Sequence, residues 1–171
     1  FIAEARLLAQ FDHPSLVKVY RFWEANNTAY MAMPLYSGMT LKQARTQMAV
    51  PPPEDWLRTM LWSILQALQV LHEQNMLHRD VSPDNIFLNQ SGEPVLIDFG
   101  AARRSATGTD QKYSGLSVVK DGYSPHELYT AGGNSGPWSD IYSLAASLYH
   151  AIARVAPVDC QSRLAALVEK R

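Results

Sequence analysis

Three oxygen-bearing side chains, Asp80, Asn85 and Asp98, constrain this chain more than any other feature, because each sits in a motif and the motifs bracket one hairpin. The first acid ends His78-Arg79-Asp80 and the last opens Asp98-Phe99-Gly100. Between them, Ile86-Phe87-Leu88 and Val95-Leu96-Ile97 flank the turn signal Ser91-Gly92-Glu93-Pro94, which predicts two paired strands. Taken singly, an Asn or an Asp beside Gly is a turn residue. Placed jointly around a hairpin, an acid, an amide and a second acid are the chemistry needed to hold Mg²⁺-ATP against a hydroxyl.

Composition excludes several other classes. The chain has 171 residues, 47% apolar and 18% charged, enough for one domain with a real core and too apolar for disorder. A formal net charge of −1 offers no field for nucleic acid or an anionic membrane. The single cysteine, Cys160, rules out an internal disulfide and fits a reducing compartment. No uninterrupted apolar run has the length of a membrane span. The start does not read as a signal peptide, since residues 1–8 are already amphipathic and carry Glu4 and Arg6. A cytoplasmic location is expected.

Along the chain, Ile2, Ala5, Leu8 and Ala9 fall at helical spacing, and Asp12-His13-Pro14 stops that helix. Residues 16–20 and 29–33 read as two strands joined by the polar turn Asn26-Asn27. After Ser37-Gly38, residues 41–48 read as a short helix. Pro51-Pro52-Pro53 then punctuates the chain, its last proline suiting a helix start. From Glu54 the stripe Leu57, Leu61, Ile64, Leu65, Leu68, Leu71 predicts a long helix buried along one side. Residues 101–122, rich in Gly, Ser and Thr, read as a loop, and 141–152 as another apolar helix. No internal repeat or low-complexity linker is present.

This order and these motifs resemble the protein kinase family, most closely its bacterial serine/threonine members. The resemblance implies an α+β, two-lobe fold, truncated at both ends and consisting mostly of the helical large lobe. Residues 1–36 would be a partial small lobe with the regulatory helix, two strands and the hinge. Residues 37–171 would be a partial large lobe with the catalytic loop and activation segment. The glycine-rich loop and the phosphate-pairing lysine are expected before Phe1, and the last large-lobe helices after Arg171.

Functional residues follow from the resemblance position by position. Asp80 would orient the substrate hydroxyl and accept its proton, a task needing alignment more than a strong base. Asn85 and Asp98 would be the Mg²⁺ ligands, being hard oxygen donors. Glu4 would pair with the nucleotide-gripping lysine. Met33-Pro34-Leu35-Tyr36 matches the hinge, where backbone groups of Pro34 and Tyr36 would read adenine. Met33 would be the gatekeeper, Phe87 the floor beneath the ring and Thr40 the ribose neighbour. Leu8, Val19, His78 and Phe99 match the stack joining the two lobes. Pro125-His126-Glu127 stands for the usual Ala-Pro-Glu, and Asp140 for the helix aspartate that fixes the catalytic-loop backbone. The family pairs Glu127 with an arginine further along, expected beyond Arg171.

Two residues depart from the family pattern. Most serine/threonine kinases carry lysine two residues after the catalytic aspartate, where this chain has Ser82. They also carry threonine three residues before the activation-segment tyrosine, where this chain has Lys120. An exchange is therefore expected, with Lys120 supplying the cation and Ser82 the hydroxyl. Tyrosine kinases fit less well, since they usually place an arginine two or four residues after the aspartate.

The implied activity is transfer of the γ-phosphate of ATP to Ser or Thr hydroxyls of a protein substrate, with ATP and Mg²⁺ required. Ser82 supports a different reading, a pseudokinase or docking module that binds nucleotide or partner without turnover. A small-molecule phosphotransferase of the aminoglycoside-kinase type is disfavoured by Arg79, where those enzymes usually have glycine, and by the segment ending at Glu127. Ser105, Thr107, Thr109, Ser114 and Ser117 would be candidate phosphorylation sites, with Arg79 as partner. Residues 1–171 alone are expected to turn over poorly, because half of the phosphate cradle is absent, and to have limited solubility, because half-built strands would expose apolar surface and unpaired edges.

Overall fold

The computed structural model describes residues 9–98, 103–104, 119–130 and 133–169. Two strands, β1 (Arg21–Ala25) and β2 (Thr28–Ala32), form an antiparallel hairpin through Asn26 and Asn27, both at positive φ. Asn tolerates that left-handed conformation better than other non-glycine residues, which is why the pair makes a two-residue turn.

The first strand lies five residues later than its apolar pattern predicts, over Arg21–Ala25 and not over 16–20. Leu16, Val17 and Val19 are buried, but they strap the core instead of pairing with β2. The Val17 N–H donates to the Leu96 carbonyl at 2.9 Å, and the Leu96 N–H to the Ser15 carbonyl at 2.8 Å.

Leu96 belongs to a three-stranded antiparallel sheet of β3 (Gly38–Thr40), β5 (Ile86–Asn89) and β6 (Pro94–Leu96). The predicted hairpin is thus present, with Phe87 paired to Val95. Gly38, at φ +149°, lets β3 approach β5, since a Cβ there would lie 2.0 Å from the Leu88 carbonyl oxygen. Strands β4 (Met76–Leu77) and β7 (Arg103–Arg104) pair separately.

Helix α1 (Leu41–Gln47) begins at a capping box: Gln43 N–H donates to Thr40 Oγ1, and Thr40 N–H to Gln43 Oε1. Helix α2 (Glu54–Glu73) starts after Pro53, with Glu54 and Asp55 favourably placed at its positive end. Its buried stripe is Leu57, Met60, Ile64, Ala67, Leu68 and Leu71, while the predicted Leu61 and Leu65 lie at its half-buried margin. Burying each large side chain contributes roughly 1.5–3 kcal/mol.

That stripe packs on α3 (Pro137–Ala153), which begins four residues earlier than its apolar run suggests because Pro137 sits at the first turn. A last helix, α4 (Cys160–Glu169), follows. Arg45 is buried between helices, its Nε donating to the Ala151 carbonyl at 2.7 Å. No helix among the described residues is long and apolar enough to cross a membrane.

Candidate active site

Residues 78–85 connect β4 to β5, and Asp140 on α3 fixes where that loop begins. Asp140 is fully buried; its Oδ2 accepts the His78 N–H at 2.9 Å and its Oδ1 the Arg79 N–H at 2.8 Å. His72 Nε2 donates to Oδ2 as well, at 2.8 Å. Arg79 needs this support because it sits at φ +66°, a conformation costing a non-glycine residue about 1–2 kcal/mol.

His78 is fully buried beside the loop. Its Nε2 lies 3.2 Å from the Ile97 carbonyl and its Nδ1 is 3.3 Å from the Asp80 N–H. One acceptor and one donor as partners fit the neutral ring with the proton on Nε2. Burial pushes its pKa below the ordinary value, outweighing Asp140, Asp80, the Ile97 carbonyl and Asp98. The ring therefore stays neutral and acts as a spacer between the catalytic loop and the strand end before Asp98.

Asp80 and Asn85 meet directly. Asn85 Nδ2 donates to the Asp80 carbonyl and to Asp80 Oδ2, both at 2.8 Å. Both amide protons are thereby used, which leaves Oδ1 as the remaining acceptor of a residue only 6% exposed. The Asn85 carbonyl accepts the Ile97 N–H at 2.9 Å, tying the loop to the residue before Asp98. Asp98 is exposed and adopts φ +63°, turning the chain at the end of the hairpin. Asn85 Oδ1 and the Asp98 carboxylate are hard oxygen donors, of the kind a divalent cation would take.

The two unusual residues, Ser82 and Lys120, are in contact. Lys120 Nζ donates to Ser82 Oγ at 2.8 Å, and Ser82 is fully buried. The same ammonium lies 3.6 Å from Asp80 Oδ1 and 3.7 Å from Asp84 Oδ2. Asp84 also takes Lys42 Nζ at 3.2 Å. Sequence reasoning did not single out Asp84; its signal was an acid four residues after Asp80 on the same loop.

On the far side of the site, residues 33–37 carry no regular secondary structure between β2 and β3. Tyr36 packs its ring on Phe87, centroids 6.2 Å apart, and Phe87 pairs in register with Thr40. Tyr36, Thr40 and Phe87 are thus neighbours, whereas Met33 is exposed and Pro34 half-buried. Thr40 uses its hydroxyl as the α1 cap. Glu4, Leu8, Phe99 and the five candidate phosphorylation sites lie outside the described residues. Glu127 is half-buried, and it accepts the Ser139 hydroxyl at 2.5 Å.

Comparison with known proteins agrees with this geometry. The family described as protein kinase domain matches residues 1–170. Probable serine/threonine-protein kinase PknB of Lactococcus lactis is 30% identical over 169 residues, 96% of this chain and 26% of that protein. Serine/threonine-protein kinase PrkC of Bacillus subtilis is 30% identical over 162 residues, 95% of this chain and 24% of that protein. The chain therefore spans about a quarter of the length of these two relatives. The solved structure "PpkA-294 apo form" superposes with a TM-score of 0.77 at 43% identity, covering 96% of this chain and 57% of that one. With the loop, hairpin and buried helix aspartate in this arrangement and the match running nearly end to end, the chain belongs to the protein kinase family.

Proposed function

We propose that this chain is a protein kinase domain segment that, within its full-length protein, transfers the γ-phosphate of ATP to Ser or Thr hydroxyls of a protein substrate. The observation that carries the reading is the surround of Asp80, with the Asn85 amide at 2.8 Å on one oxygen and the Lys120 ammonium 3.6 Å from the other. A carboxylate so held can align an incoming hydroxyl and receive its proton.

In the proposed reaction, the acceptor oxygen forms a bond to the γ-phosphorus while the bond to the β–γ bridging oxygen breaks. The electron pair leaves with ADP and the proton goes to Asp80. Lys120 offsets charge on the transferring phosphoryl group, with Ser82 orienting the ammonium, so cation and hydroxyl have traded places relative to the common pattern. Asn85 and Asp98 would hold Mg²⁺, which neutralises phosphate charge when bound. Pro34 and Tyr36 would offer backbone groups to adenine, with Met33, Thr40 and Phe87 around the nucleoside and Glu4 paired to a lysine. The division into a small-lobe part, 1–36, and a large-lobe part, 37–171, belongs to the same proposal.

The test is phosphate transfer from radiolabelled Mg²⁺-ATP to a general protein acceptor, using the protein with whatever its reading frame encodes on either side of residues 1–171. Transfer that falls by about 10²–10⁴ in Asp80→Asn supports the reading. Saturable nucleotide binding with no transfer contradicts it and favours the pseudokinase alternative.

A further inference from the structure

The cation beside Asp80 is not carried by the loop that carries Asp80. Lys120 lies on a separate turn, residues 120–124, and its side chain crosses to Ser82 on the catalytic loop. The backbone of Lys120 is held at both ends. Its N–H donates to Ser124 Oγ at 2.8 Å, and its carbonyl accepts the N–H groups of Tyr123 and Ser124, both at 2.9 Å. Ser124 is only 5% exposed, so little water competes for that hydroxyl. Next to it, the Tyr123 hydroxyl lies 2.8 Å from His150 Nδ1, which fastens the turn to α3.

We propose that Ser124 is a positioning residue for phosphoryl transfer, acting through the Lys120 backbone, so that the catalytic cation reaches the phosphate only when the 120–124 turn is seated. The proposal rests on the reading of Asp80 and Lys120 given above. A cation two residues after the aspartate would be built into the catalytic loop, and no movement of the turn could withdraw it. Here the ammonium sits at the end of a flexible four-carbon stem, and its placement is set by where the turn holds its Cα. Ser82 and Asp84 receive the ammonium at the far end, but neither fixes the backbone from which it extends. Asp84 is shared with Lys42, so it does not anchor Lys120 alone. Substrate docking, modification or a partner acting on this turn would then alter charge at the reacting phosphate directly, without moving Asp80.

The experiment compares Ser124→Ala in two backgrounds, the natural protein and the exchanged protein Ser82→Lys/Lys120→Thr, each with its flanking sequence. In the natural background, Ser124→Ala is expected to lower kcat by roughly 10–100-fold, part of the 10²–10³ that one preorganised electrostatic contact supplies. KM for ATP should hold, and Ser124→Thr, which keeps the hydroxyl, should restore the rate. In the exchanged background the cation no longer depends on the turn, and the same substitution should change kcat less than about 2-fold. Equal losses in both backgrounds would show that the turn serves folding or substrate seating instead, and would overturn the proposal. So would an unchanged rate in the natural background. Should the exchanged protein fail to fold, Lys120→Ala and Lys120→Ala/Ser124→Ala decide the matter: matching rates support the proposal, and a further fall in the double variant overturns it. A natural protein that transfers no phosphate at all fails differently, since it removes the kinase reading itself.

Discussion

The backbone N–H of Arg79 donates to Asp140 Oδ1 at 2.8 Å, and Arg79 is held there at φ +66°. A carboxylate on a helix thus supports a turn that the catalytic loop could not keep by itself. Asp140→Ala strips acceptors from His72, His78 and the Arg79 backbone together. Leaving buried donors unsatisfied costs about 1–3 kcal/mol each, so the loss over three donors should total about 3–9 kcal/mol. Urea unfolding should show a lowered midpoint with little change in m. Asp140→Asn keeps one good acceptor and should lose less.

Gly122 should be intolerant of a side chain. It sits at φ +85°, and a Cβ there would lie 2.7 Å from the Pro157 carbonyl oxygen. Gly122→Ala should cost about 1–3 kcal/mol through strain and contact, and it should displace the turn that carries Lys120. Thermal unfolding should register the first effect, and phosphate transfer falling further than the unfolded fraction accounts for should register the second.

Acid should weaken the junction between the 120–124 turn and α3. Burial, helped by Lys42 and Arg45 and opposed by Asp84, holds the His150 pKa below its ordinary value. Its neutral Nδ1 can then accept the hydroxyl of Tyr123, which burial and Asp84 keep protonated by raising its pKa. Because the unfolded chain binds the proton more readily, stability is fully present above the ordinary histidine value of about 6.5 and declines as pH falls below it. Unfolding midpoints measured from pH 7.5 to 5 should drop on the acid side, and His150→Gln should flatten that slope. An equal slope in the variant would place the effect elsewhere, for instance at His78.

Much of the site was legible because chemistry repeats in spacing. Asp80 and Asn85 fall five apart on one loop, and the hairpin that leads to Asp98 announces itself through alternating apolar runs around Gly92 and Pro94. Ser82 and Lys120 stood out as two departures from one pattern, and these side chains, 38 positions apart, do meet. The strand over Arg21–Ala25 was hidden for a physical reason: none of its residues is fully buried, so no alternation marks it. Residues Leu16, Val17 and Val19 looked like the strand because burial, whatever its geometry, selects the same side chains. Helix α4 was missed because, apart from Cys160, its residues are exposed and it presents no stripe. Arg45 gave no warning either; a buried arginine serving helix carbonyls reads from sequence as a surface charge. Ser124 looked like any loop serine until its acceptor role toward Lys120 could be seen.

The most direct test of the account is the single-turnover rate of phosphate transfer by Lys120→Ala at saturating Mg²⁺-ATP, set beside Asp80→Asn. Both should fall about 10²–10³-fold or more while nucleotide affinity stays within about 3-fold of the unaltered protein. A Lys120→Ala protein that transfers phosphate at the unaltered rate would contradict the claim that this distant lysine serves as the catalytic cation.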